Sequence, residues 1–185
     1  MKTIVEIIKE KLLEYSKKDG YDRWNNHIKY VFQNAQKLAI KHNADMEICE
    51  LAALFHDMSM VAEVGPKEEH PKYGAQMAHA ILTELNYPKE KTELVEKCVL
   101  HHSIDWNGSR DTMEEKIIAD ADAIAHFDKI PGLFYLAYAK RKLPLEEGAE
   151  FVKNKLIGDY NKLSPQSQKE LKERFDNIMR VLFVN

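Results

Sequence analysis

Eight histidines occur in the 185 residues, at positions 27, 42, 56, 70, 79, 101, 102 and 126, and the informative ones are those whose helical register turns them inward. His27 shares a stripe with Trp24, Val31 and Ala35, so it points toward a core. His56 follows Ala52 by four in LAALFHDM, a run apolar nearly all round, and Asp57 stands beside it. Asp120 and Asp122 lie inside IIADADAIAHF, where an uncompensated carboxylate is costly. Two imidazoles and two or three carboxylates on inward faces of different helices suit a metal site, since one divalent cation answers the burial cost of all of them. Imidazole nitrogen and carboxylate oxygen favour Mn²⁺, Fe²⁺, Co²⁺, Ni²⁺ or Zn²⁺. Taken singly, each residue has a plainer reading. A lone His on an apolar stripe is more often a hydrogen-bonded core residue, and a lone buried Asp is more often a cap or half of an ion pair. The ordered combination His27, His56-Asp57 and Asp122 is what points to chemistry.

The elements that must position these residues are helices. Apolar positions recur at intervals of three and four almost throughout, and no window keeps a strict period of two. The pattern predicts helices over 3–17, 22–42 and from a cap at Asp45 to about Asp57, followed by a polar loop containing Gly65-Pro66. Further helices are expected over 68–85, broken or starting at Pro71, and from Pro88 to about His102. The stretch SIDWNGSRDT, with Asn107-Gly108, reads as a surface loop. Helices at about 113–127, 131–142 and 145–158 follow, and Ser164-Pro165 opens the last one. With no repeat, no low-complexity segment and no long linker, the expectation is one all-α domain over 1–185. Residues 20–130 would form its core helical bundle and 131–185 a C-terminal helical extension.

Composition narrows the function classes. Lys plus Arg number 27 against 30 for Asp plus Glu, a net charge of −3, so nothing in the bulk charge attracts a phosphate backbone or an anionic membrane. No nucleic-acid or membrane partner is expected. The N-terminus interleaves charges with Ile, Val and Leu rather than carrying a secretory signal, and no segment reaches 18 consecutive apolar residues. Cys49 and Cys98 lack a CxxC neighbour and read as buried free thiols in a reducing compartment. The expected location is cytoplasmic; oligomeric state is left open.

His27, His56-Asp57 in LAALFHDM and Asp122 in KIIADADAI together resemble the H…HD…D signature of the HD-domain metal-dependent phosphohydrolases. The resemblance spans about residues 20–130 and takes in HPKYGAQMA and CVLHHS. It implies a helical bundle with His27, His56, Asp57 and Asp122 as ligands of a divalent metal (Mn, Fe, Co, Ni, Zn or Mg), one ion or two. Asp120 is then an acceptor that orients a ligand imidazole. The DAD triplet leaves room for exchange, and since a slip of two turns a helical side chain by about 200°, only one of the pair faces the metal. The implied activity is hydrolysis of a phosphate ester or anhydride in a nucleotide or other small organophosphate, by a metal-bound hydroxide. Asp57 would accept a hydrogen bond from that water, and His101 or His102 would protonate the leaving oxygen. His70, His101 and His102 resemble the extra histidines of members with two metals, or face substrate, or in the pair's case merely end a helix. Arg110 and, more weakly, Lys72 are candidates for the substrate phosphate, each with the alternative of a solvated loop residue. His42, His79 and His126 are expected to be structural.

The pattern departs from the better understood members in three places. Met58-Ser59-Met60-Val61 follows the HD pair without the glutamate of the guanosine tetraphosphate hydrolases and deoxynucleoside 5′-monophosphatases. DADAIA stands in place of DADRLD, losing an Arg and an Asp that would bind phosphate or brace the site. HHSIDWNGSRD lacks the GYP triplet of cyclic-dinucleotide phosphodiesterases. Two competing readings are a di-iron oxygenase of the HD type and a non-catalytic module that senses a nucleotide.

Overall fold

The computed structural model describes residues 2–103 and 108–183, and among these every regular element is a helix. Helix α1 (Ile4–Ser16) begins in a reciprocal capping box between Thr3 and Glu6. A π-helical turn, Trp24–Ile28, leads into α2 (Lys29–His42), which stops where Asn43 takes a left-handed conformation, φ 50°. Asp45 caps α3 (Met46–Phe55) by accepting from the Ile48 amide, and Leu51 to Phe55 are all fully buried. Then come α4 (Met58–Val61), a 3₁₀ turn at Lys67–Glu69, α5 (His70–Glu84) and α6 (Lys89–Leu100). Helix α7 (Met113–Asp128) opens on a second capping box, Thr112 with Glu115. After it, α8 (Ile130–Tyr135) passes into a π-helical turn at Leu136–Lys140, followed by α9 (Leu145–Lys162) and α10 (Pro165–Leu182).

Two elements differ from the sequence expectation in ways that shape the site. The third helix does not run through Asp57. It ends at Phe55, and Asp57 leaves the helical region at φ −112°, ψ 10°. Neighbouring side chains on an unbroken helix diverge by about 100°, so the break lets His56 and Asp57 face the same space. The expected loop at 58–70 instead starts with α4, because Met58, Ser59 and Val61 are buried against the core. Gly74 on α5 makes the close approach possible: a Cβ there would sit 3.1 Å from the Phe55 carbonyl oxygen and 3.3 Å from that of His56. The expected loop from 103 to 112 includes Asn107, which lies outside the described residues.

Two buried apolar clusters meet on α7. The larger draws on α1 to α7, the smaller on α7, α8, α9 and α10, with Ala123 and Phe127 turned toward the second. Helix α7 is therefore apolar on opposite faces, as a helix between two layers must be. Cys49 and Cys98 are both free and buried. Among the described residues, no helix is long and apolar enough to cross a membrane.

Candidate metal centre

Four imidazoles converge from four elements. His27 comes from the π-helical turn before α2, His56 from the end of α3, His70 from the start of α5 and His102 from just beyond α6. His27 Nε2 lies 3.1 Å from His56 Nε2, and His70 Nε2 lies 3.2 Å from His102 Nε2. Backbone carbonyls decide what those contacts are. His56 Nδ1 donates to the Ala53 oxygen at 2.8 Å, His70 Nδ1 to the Lys67 oxygen at 2.9 Å, and His102 Nδ1 to the Val99 oxygen at 2.6 Å. A carbonyl can only accept, so each of these rings carries its proton on Nδ1 and turns an Nε2 lone pair inward. In the neutral tautomers that these carbonyls favour, two lone pairs face each other between His70 and His102 with no proton to share. Burial drives the His102 pKa down to about 3, so that ring does not supply the missing proton at neutral pH. A divalent cation between such nitrogens removes the conflict, and an imidazole held by its other nitrogen on a carbonyl is the usual arrangement of a metal-bound histidine.

The carboxylates complete the donor set. Asp122 Oδ1 is 3.0 Å from His27 Nε2. Asp57 turns one oxygen to each imidazole pair: Oδ2 lies 4.0 Å from His27 Nε2 and 3.9 Å from His56 Nε2, whereas Oδ1 lies 3.6 Å from His70 Nε2. Potential ligand atoms of His27, His56 and Asp57 lie within 4.8 Å of one another, as do those of Asp57, His70 and His102, and those of His27, Asp122 and His126. Asp57 belongs to two of these groups and could be shared by two ions. Burial pushes its carboxyl pKa up, but the neighbouring imidazoles and Arg23 outweigh burial and hold it well below the usual range. Burial likewise works against the Asp122 carboxylate, and the ammonium of Lys162 overcomes it. Burial lowers the His27 pKa to about 4, with His126 adding to the effect. His27 and His102 are thus neutral at neutral pH, and Asp57 and Asp122 ionised, the protonation state a cation requires.

The DAD triplet resolves cleanly. Asp122 faces the imidazoles, and Asp120 points the other way, accepting from the Ser164 amide at 2.8 Å and from the Ser164 and Ser167 hydroxyls at 2.6 Å each. Asp120 therefore anchors the start of α10 and orients no ligand imidazole, contrary to the expectation from sequence. The paired histidines also part company. His101 donates from Nδ1 to Glu115, 2.5 Å away, and Glu115 is itself buried. The Arg110 guanidinium is spent on the backbone, donating from Nε to the His101 oxygen and from Nη2 to the Ser103 oxygen. Lys72 is exposed and paired with Glu69 at 2.7 Å. None of His101, Arg110 and Lys72 lines the cavity over the imidazoles, whereas His70 and His102 do.

That cavity, of about 370 Å³, brings in residues that the sequence reading passed over, and His126, which it took as structural. Arg23 sits one helical turn before His27, with Nε 3.7 Å from Asp57 Oδ2 and Nη1 3.2 Å from Asp19. His126 stacks on His27, ring centroids 4.4 Å apart. Helix α9 carries a charged stripe around the buried Asp159: Lys155 donates to Asp159 at 2.8 Å, Asp159 Oδ2 lies 3.1 Å from His126 Nδ1, and Lys162 donates to Asp122 Oδ2 at 2.5 Å. Lys162 also reaches the His102 carbonyl at 3.3 Å. A brace like the one lost with DADRLD comes from a helix forty residues downstream.

A family model of the HD domain matches residues 25–126, more than half of the chain. The chain belongs to the HD-domain family. HD domains bind divalent metals, and the His and Asp groups of this HD domain have the donors and tautomers to hold one. The family is one of metal-dependent hydrolases. Among solved structures, the chain is similar to a predicted HD superfamily hydrolase from an uncultured Thermotogales bacterium, with 19% identity and a TM-score of 0.52 over 95% of this chain and 98% of that one. That likeness speaks for the fold. A search of the curated proteins returns no match.

Proposed function

We propose that this HD domain hydrolyses a phosphate ester or anhydride of a small organic molecule, with His27, His56, Asp57 and Asp122 holding one divalent cation and Asp57, His70 and His102 a second. The supporting observation is the inward Nε2 lone pairs, fixed by backbone carbonyls and gathered around the two oxygens of Asp57. Bound there, a divalent cation supplies Lewis acidity to a phosphoryl oxygen and lowers the pKa of a coordinated water. The chain's own residues do the remainder. Asp57 spans the two groups and keeps both carboxylate oxygens charged. Arg23, held by Asp19 and stacked near Tyr21, presents a guanidinium beside Asp57 where a phosphoryl group would need a counter-charge. His102, with its depressed pKa, is assigned to cation binding rather than proton donation, and His101 to holding Glu115 and the turn after α6.

The test is phosphate release from a panel of monoesters and anhydrides by metal-depleted protein reloaded with Mn²⁺, Co²⁺, Ni²⁺ or Fe²⁺. Turnover that disappears in Asp57→Ala together with bound metal supports the proposal. Two irons per chain with oxygen uptake and no phosphate release would replace it with an oxygenase of the HD type. No turnover, with thermal stabilisation by one nucleotide, would replace it with a sensing role.

A further inference from the structure

The cavity is lined by more fixed positive charge than a single phosphoryl group calls for. Arg23, Lys67, Arg141 and Lys155 border it, against Asp57, Asp122 and Glu68, in a chain whose net charge is −3. Two of the three acids are assigned to cations, so loading the site leaves the cavity strongly positive. Two of the bases are already matched: Arg23 by Asp19 and Lys155 by Asp159. Arg141 is not. Among the described residues no carboxylate lies within 4.0 Å of it, and its guanidinium carbon rests 4.4 Å from the centroid of Phe151, which lines the same cavity. An arginine stacked on an aromatic ring is held in place without being neutralised. It stands at the end of the π-helical turn 136–140, beyond the region matched by the family model. Leu133, Leu136 and Met60 supply apolar wall.

We infer that Arg141 receives a second anionic group of the substrate, a carboxylate or a second phosphate, joined by an apolar spacer to the phosphoryl group that meets the cations. This rests on the proposed function for its first anchor point. Substrates with one charged end lack half of the recognition, so the C-terminal helices set specificity while the HD residues set the reaction.

Non-hydrolysable probes separate binding from turnover. Binding of propylphosphonate, 3-phosphonopropionate, 4-phosphonobutyrate and propane-1,3-bisphosphonate to Mn²⁺-loaded protein is measured by calorimetry. At least one doubly anionic probe should bind about tenfold more tightly than propylphosphonate, the size of one charge-assisted contact. Arg141→Met should erase that advantage and leave propylphosphonate affinity unchanged, while Lys140→Met, the same charge loss outside the cavity, should preserve it. The carboxylate and phosphonate arms identify which second anion is preferred. Equal affinity for singly and doubly anionic probes, or an advantage that survives Arg141→Met, overturns the inference and leaves the proposed reaction standing. No binding of any phosphonate overturns the first anchor point instead, and the inference with it.

Discussion

Lys162→Met isolates the brace on Asp122. The ammonium is 2.5 Å from Asp122 Oδ2 and 4.0 Å from Asp159 Oδ1, on a side chain only 3% exposed. Methionine keeps most of the aliphatic length, so the change removes charge more than volume. It leaves Asp122, itself buried, without its nearest counter-charge in metal-free protein. Breaking a buried pair by removing one partner costs about 3–5 kcal/mol. For a chain of this size each kcal/mol moves the melting temperature by roughly 2–4 °C, so scanning calorimetry of EDTA-treated protein should show a fall of about 6–20 °C. Lys172→Met on α10 is the comparison. Its partner Asp176 and Lys172 itself are more than half exposed, and the melting temperature should not move. Adding Asp122→Asn to Lys162→Met should recover much of the loss, because the unpaired charge goes with it. A fall in Lys162→Met no larger than in Lys172→Met would refute the reasoning. A loss that Asp122→Asn does not relieve would place the role of Lys162 in packing rather than charge.

Asp57→Ala should reduce bound metal at both groups, seen as a drop in Mn²⁺ per chain by elemental analysis, whereas His70→Ala should affect only the group it shares with His102. Arg23→Ala should raise KM for a phosphorylated substrate about tenfold or more with metal content retained; Lys72→Ala, remote from the cavity, should leave both constants unchanged. Metal-free protein should lose stability as pH falls from about 6.5 toward 4. Burial holds His27 near 4 and His102 near 3 in the folded chain, against 6.5 when unfolded. The unfolded state therefore binds protons that the folded state refuses, costing up to about 1.4 kcal/mol per pH unit for each histidine. The depressed carboxylates of Asp57 and Asp122 act with the same sign at lower pH. Urea midpoints that stay flat between pH 7 and 5 would contradict this.

The inward placement was readable because a polar residue on an apolar stripe has few explanations, and His27, His56, Asp57 and Asp122 stand close together in the fold. The outcome at 120 and 122 was not readable. Helix α7 is apolar toward both neighbouring layers, so its pattern could not say which layer held the imidazoles. His126 follows Asp122 by four and lies on the same face, a spacing that periodicity could have exposed. The stripe on α9 carried a signal too. Lys155, Asp159 and Lys162 fall among Val152, Leu156 and Leu163, all buried, and charges at helical spacing within an apolar face must be paired. What no local pattern contained was the partner, forty residues upstream. At MSMV, where a glutamate stands in better known relatives, the residues serve the fold: Met58 is in the core and the Ser59 hydroxyl donates to the His70 carbonyl at 3.0 Å.

The brace from α9 also orders events during synthesis. Asp122 leaves the ribosome forty residues before Lys162, an interval of roughly 2–8 s at ordinary elongation rates. By then all four imidazoles and Asp57 have been made, but Asp122 still lacks its ammonium. A divalent ion bound at that stage would supply the missing counter-charge before the last two helices are complete. A chain cut at the end of the matched region, after residue 126, would keep the four imidazoles, Asp57 and Asp122 but lack the brace.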